Sequence, residues 1–236
     1  MAPSALPSCH IPNFVLRVED LNHQGAAVFL SNFHRDILQS AVEASYTWLY
    51  TPLTAPTHVE KITLVLRSFE GVAYTFGSDT DKEIHLSLDY VVSALSRARD
   101  EITGVLVHEV VHCYQYNAKD TCPSGFIEGI AGRAVFLITR IATSSQFILV
   151  VTDFVRLNAG YAPPHWQVSG GDRWDAGYAT TAYFLDWVEK RCGKGSVRKL
   201  NAYMKDQTYD PHIFVTVTGD TVDTLWCLYC EHLERQ

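Results

Sequence analysis

His108, Glu109 and His112 are the residues of this chain whose types and spacing point most directly to chemistry. They belong to His108-Glu109-Val110-Val111-His112, an H-E-x-x-H stretch inside an apolar run. On a helix, side chains four positions apart lie one above the other on a shared face. His108 and His112 can then aim two imidazoles at one point, with Glu109 beside them. A zinc hydrolase needs that set: two neutral nitrogen ligands and a carboxylate placed to accept a proton from an activated water.

A hydrolytic zinc ion (Zn2+) usually takes three protein ligands and leaves the fourth position to solvent. Glu128, in Phe126-Ile127-Glu128-Gly129-Ile130-Ala131, is the candidate third ligand. In thermolysin-like enzymes the ligand glutamate lies on a second helix. An aspartate one turn further on accepts a hydrogen bond from a ligand histidine. Here the position four after Glu128 is Gly132, and the next aspartate is Asp153.

These residues need elements to hold them. Asp100 and Glu101 put acidic side chains into the first turn of the motif helix, where the helix dipole favours them. Leu106, Val107, Val110 and Val111 supply its apolar face. Upstream, alternating β-branched runs predict strands at 14–18, 61–66, 71–76 and 83–88. A helix capped by Ser31-Asn32 is expected to run to about Tyr50, and a short one from about Tyr90 to Ala98. Downstream the pattern turns helical. Segments from Asp153 to Gly160, from about Tyr178 to Cys192, from Ser196 to Met204 and from a cap at Asp220 carry the periodicity. Strands first and helices afterwards argue an α+β domain in which a small N-terminal mixed sheet backs the H-E-x-x-H helix, with a mainly helical C-terminal half. Residues 1–26 read as a loose N-terminal segment with one strand, and 27–236 as a single domain.

One stretch stands apart. Gly132 to Thr152 is apolar and β-branched without a clean amphipathic period. A strand pair is the physical reading. Arg140 and the Thr-Ser-Ser centre oppose a membrane anchor, since a central arginine is costly in lipid.

Composition bounds the rest. The chain has 236 residues, 47% hydrophobic, with a formal net charge of -7, enough for one large domain with a core. No basic cluster offers a nucleic-acid surface. Six cysteines are too few to frame a disulfide-built fold of this length, and Cys227 and Cys230 read as neighbours on one helical face rather than a redox pair. The first ten residues lack a basic and an apolar leader region, which reads as either a cytoplasmic protein or a start site that omits the leader.

Several blocks together resemble the basic secretory protein family of peptidases from plants, fungi and bacteria. They are His108 to His112, Gln115-Tyr116-Asn117, Pro123-Ser124-Gly125-Phe126-Ile127-Glu128, Asp153 to Tyr161, Asp172 to Tyr178 and Thr181 to Asp186. The resemblance spans about Leu30 to Tyr229. It implies a zincin-like fold, zinc-dependent hydrolysis of a peptide or protein substrate, and an extracellular location. Against the family pattern, this chain is acidic. It also carries about 21 extra residues, 132–152, where family members run from Glu-Gly-Ile-Ala straight into Asp-Phe-Val-Arg-Leu. Removing them restores a Glu and an Asp at i and i+4. That places Asp153 as the outer partner of the metal site and marks the segment as a retained intron or faulty gene model.

The expected mechanism uses Glu109 as general base and then as proton donor to the leaving amine. Tyr178 is the preferred donor to the developing oxyanion, with His165 a second candidate. The strand at 83–88 would offer its edge to an extended substrate. His85 reads as satisfied or exposed, Asp175 as a helix cap, and Trp166 and Trp174 as packing groups. The competing class is a peptide-binding zincin scaffold without activity, or the inactive product of the interrupted motif.

Overall fold

A computed structural model describes residues 9–131 and 154–236. The chain enters as strand β1 (Asn13–Val18), followed by helices α1 (Gln24–Asn32) and α2 (Arg35–Leu49). Strands β2 (Lys61–Arg67), β3 (Ala73–Gly77) and β4 (Asp81–Ser87) come next. Together they make a mixed four-stranded sheet in the order β1-β2-β4-β3. β1, β2 and β4 run parallel, and β3 is antiparallel to β4. A parallel β1–β2 pair needs a crossover, and α1 and α2 provide it. The one strand expected in the N-terminal segment, at 14–18, is β1 of this sheet.

The strand residues explain the layering. Ile62, Leu64, Leu66, Ile84 and Leu86 are fully buried in the main core. They alternate onto one face, as a two-residue period requires. The opposite face carries Val65 beside His85 in register.

Helix α3 (Leu88–Ser93) and a short 3-10 turn (Leu95–Arg97) lead into the motif helix α4 (Ala98–His112). α4 is buried around most of its circumference: Ile102, Val105, Leu106, Val107, Val110 and Val111 are all at or near zero exposure. A helix enclosed on every side has no single apolar stripe. Its polar residues consequently sit inside the protein.

The second half is helical: α5 (Ser124–Ala131), α6 (Phe154–Asn158), α7 (Tyr178–Cys192), α8 (Ser196–Tyr203), α9 (His212–Thr218) and α10 (Val222–Glu234). An aromatic cluster joins them. Phe126 of α5 packs edge-on against Trp174 at 5.1 Å between ring centroids, and Trp174 meets Phe214 of α9 at 5.3 Å. Phe184 of α7 meets Trp226 of α10 at 5.3 Å. Trp166 and Trp174 are packing groups, as expected.

Several boundaries differ from the sequence reading. Ser31 and Asn32 end α1 instead of capping α2, which starts after His34. Both hydroxyl and amide turn back onto their own helix, to the carbonyls of Ala27 and Val28. Helices α1 and α9 were not anticipated. The last helix is capped by Thr221, whose hydroxyl accepts from the Thr224 amide, and not by Asp220. Asp175 does not cap α7. It pairs with Arg173 at 2.5 Å, and Gly177 holds the cap position. β4 lies inside the sheet, whose edge strands are β1 and β3, with β3 the edge beside β4. The proposed strand pair at 132–152 lies outside the described residues. No described helix is long and apolar enough to cross a membrane.

Candidate metal and catalytic site

The last turn of α4 brings His108 and His112 together. Their Nε2 atoms are 3.2 Å apart and the rings stand nearly perpendicular, at 79°. Helical spacing alone stacks the two side chains. Burial sets their orientation: His108 is 5% exposed and Glu109 4%. His112 is half-buried. Desolvation, and behind it the neighbouring His108 ring, hold the His112 imidazole well below its ordinary pKa. It is therefore neutral at neutral pH, the form in which an imidazole ligates metal.

Glu109 is held from the sheet. Thr75 of β3 donates its hydroxyl to Glu109 Oε2 at 2.6 Å, and its oxygen also lies 3.1 Å from the Glu109 carbonyl. A short bond to a carboxylate is among the stronger neutral-donor contacts. It ties the edge strand to the motif helix at the one residue expected to move protons. Sequence reasoning missed Thr75, because nothing local to 73–77 marks which strand residue will face α4.

On the other side of the histidines, the Gln115 amide nitrogen lies 3.1 Å from His112 Nδ1. His112 and Gln115 also line a cleft of about 490 Å³ that runs under β3 and the turn after it, past Thr75, Phe76 and Lys82 to Ile127 of α5.

The helix α6 is fixed to α4 by a buried cation. Arg156 is 1% exposed. Its Nε donates to the Tyr161 carbonyl at 2.9 Å, its Nη2 reaches Glu101 at 3.5 Å, and its guanidinium stacks 5.6 Å from the Trp166 ring centroid. Gly104 makes the space. A Cβ there would stand 2.5 Å from Arg156 Nη2. Gly125 plays a similar part where α5 begins: its Cβ would lie 1.7 Å from the carbonyl oxygen of Asp175. Thr181 secures the same turn, donating to the Trp174 carbonyl at 2.7 Å and accepting from the Gly177 amide at 3.0 Å.

The structure thus joins three of the anticipated site residues, His108, Glu109 and His112. Glu128 lies on α5 and Tyr178 opens α7, but the side chains of both fall outside the described residues, and Asp153 falls outside them altogether. His165 is exposed in a loop. Among the described residues no third His, Cys, Asp or Glu completes a metal-sized cluster.

A family model described as a peptidase of plants and bacteria, BSP, matches the chain in two stretches, residues 11–141 and 135–229. The chain belongs to this family. The two matches meet inside the 132–152 segment, where the motif order is interrupted. Two of the blocks carrying the earlier resemblance are pressed together by the fold, the α5 start at Gly125 against the 174–177 turn. Family membership points to peptide hydrolysis. No curated protein and no solved structure matches the chain.

Proposed function

We propose that the chain is a zinc-dependent metallopeptidase of zincin-like architecture, with His108, His112 and Glu128 as metal ligands and Glu109 as general base. The observation that carries this reading is the convergence of the two imidazoles. Two nitrogen ligands about 2.0–2.1 Å from a tetrahedral zinc lie roughly 3.3 Å from each other. The two Nε2 atoms are 3.2 Å apart. Desolvation favours the neutral form of the His112 ring. The donor set of two imidazoles and a carboxylate suits zinc. Glu128 is the ligand of choice because the residue before it, Ile127, lines the same cleft as His112.

Zinc held there supplies Lewis acidity at a scissile carbonyl and makes a water acidic enough to release its proton near neutral pH. The protein does the rest. Glu109 accepts that proton on its carboxylate and returns it to the leaving amine. Thr75 keeps the carboxylate oriented through both transfers, because its hydroxyl grips Oε2. Tyr178, at the start of α7, is the donor to the developing oxyanion. β3, which carries Thr75, replaces β4 as the edge on which an extended peptide would lie. The substrate is a peptide or protein; the formal net charge of -7 opposes binding to phosphate backbones.

The interrupted order between Glu128 and Asp153 favours a second reading, a scaffold that binds peptide without cutting it. Zinc stoichiometry and casein digestion with and without chelator separate the two. The proposal expects one zinc per chain and chelator-sensitive cleavage. Glu109→Ala should keep zinc and lose about 10²–10⁴-fold in rate, the usual worth of a general base. His112→Ala should lose zinc. Full activity in Glu109→Ala would remove that residue from the mechanism.

A further inference from the structure

Gln115 lies three residues beyond His112, just past the end of α4, and its backbone is clamped on both sides. Its own amide continues the helix by donating to the Val111 carbonyl at 2.9 Å. Before it, the Tyr114 carbonyl accepts from the hydroxyl of Tyr50, the residue that caps the end of α2. After it, the Tyr116 amide donates to Asn201 Oδ1 of α8 at 3.0 Å. Asn201 is fully buried. Two separate helices thus set the position from which the Gln115 side chain folds back onto the His112 ring.

An imidazole ligates metal through a bare nitrogen, and the partner of its other nitrogen decides which one is bare. The two Nε2 atoms lie within hydrogen-bond distance of each other. With the Gln115 amide nitrogen donating to Nδ1, the neutral His112 ring carries its proton on Nε2 and donates it to His108. Ligation through both Nε2 atoms requires His112 to carry its proton on Nδ1. A carboxamide serves both situations: its nitrogen donates to a bare Nδ1, and after a half-turn its oxygen accepts from Nδ1–H. A carboxylate or backbone carbonyl, the usual partners, could only accept.

We infer that Gln115 is a positioning residue of the metal site: with its amide turned so that the oxygen accepts from Nδ1–H, it holds the His112 tautomer whose Nε2 is bare. This rests on the zinc reading above. The half-turn lets the same contact survive whether the two rings are paired or hold an ion. Histidine ligands that lose such a partner typically drop about 10–100-fold in metal affinity.

The test is zinc affinity by competition with a chromophoric chelator, on the full chain and on Gln115→Leu and Gln115→Glu. Leucine removes both hydrogen-bonding ends, and glutamate keeps only an acceptor. The inference expects affinity to fall about 10–100-fold in Gln115→Leu and to be kept or tightened in Gln115→Glu. Imidazole nitrogen NMR of the zinc-loaded chain should show His112 protonated on Nδ1. Affinity within threefold of the parent in Gln115→Leu would overturn it. If that variant does not fold by circular dichroism, weakening of more than tenfold in a folded Gln115→Glu overturns it instead. Failure of the parent reading looks different: the unaltered chain would bind no zinc, or His112→Ala would bind it normally.

Discussion

The two walls of the cleft are built in opposite ways. One wall is β3 with the end of α4, and its working residues all fall between Thr75 and Gln115. The other reaches the cleft at Ile127 of α5 and is backed by the turn at 174–177, α6 and α7, from stretches spread over more than fifty residues. On the first wall, a helical repeat and one strand contact fix the geometry. On the second, each piece is held by a close approach: Gly125 under the Asp175 carbonyl, and Gly104 under Arg156. Local order is robust to events elsewhere in the chain, whereas an assembled wall depends on what separates its parts. In sequence, the 132–152 segment separates Glu128 from Asp153, and so α5 from α6.

Deleting 132–152 is the sharpest way to break that contrast. It puts a Glu and an Asp at i and i+4, and zinc affinity or turnover should rise by about 10–100-fold if the outer partner is thereby restored. Unchanged affinity and rate would show that the second wall does not need Asp153. Finding the segment in the mature transcript would separately establish it as an evolved element.

The first wall is tested by Thr75→Val, which keeps the shape and removes the hydroxyl. Losing a hydrogen bond to a charged group costs about 1.5–3 kcal/mol, so kcat should fall about 10-fold or more. KM and zinc content should stay near the parent values, and Thr75→Ser should restore the rate. An unchanged kcat would leave Glu109 oriented by other means.

Gly125→Ala probes the second wall by stability. The added methyl meets a backbone carbonyl, which cannot swing aside as a side-chain end could. Overpacking of this kind costs about 1–3 kcal/mol. Thermal unfolding should show the loss, and activity should drop with it because α5 is displaced. A wild-type melting temperature would mean that the turn at 174–177 yields freely.

The smallest effect concerns the outer face of the sheet. His85 is 6% exposed and stacks on Tyr74 at 4.7 Å and 11°. Its Nε2 contacts Glu83 at 3.1 Å. Desolvation outweighs that carboxylate and lowers the imidazole pKa below its ordinary value. The folded state thus takes up a proton less readily than the unfolded one. The stability tied to the neutral ring is complete above about pH 6.5 and is lost as pH falls from there through the lowered folded value. Melting temperature should decline over that acid range, and less steeply in His85→Phe. Equal slopes would assign the decline to other groups.

What was legible in the sequence follows the same division. Alternation gave strands β2 and β4 nearly to the residue, since a two-residue period with β-branched side chains leaves few alternatives. The motif helix and the pairing of His108 with His112 followed from 3.6-residue periodicity. Helix starts were less legible. Ser31 and Asn32 are good caps by type, yet their side chains bond back to the turn before them, a choice set by where α1 meets the rest of the fold. Strand order was not legible at all, and so β4 was given an edge that belongs to β3. Gln115 carried a faint signal, three residues past His112. Thr75 and Arg156 carried none, because their partners are remote in the chain.

The amino-acid order by itself determined an α+β chain, the two facing imidazoles and the glutamate between them, because local spacing on one helix is enough to place all three. It also exposed the break between Glu128 and Asp153. Only the tertiary structure decided that a strand hydroxyl holds Glu109, that Gln115 meets His112, and that two glycines let buried neighbours pack against the motif segments. Those contacts join residues far apart along the backbone, and sequence periodicity carries no information about which distant surfaces meet when the core closes.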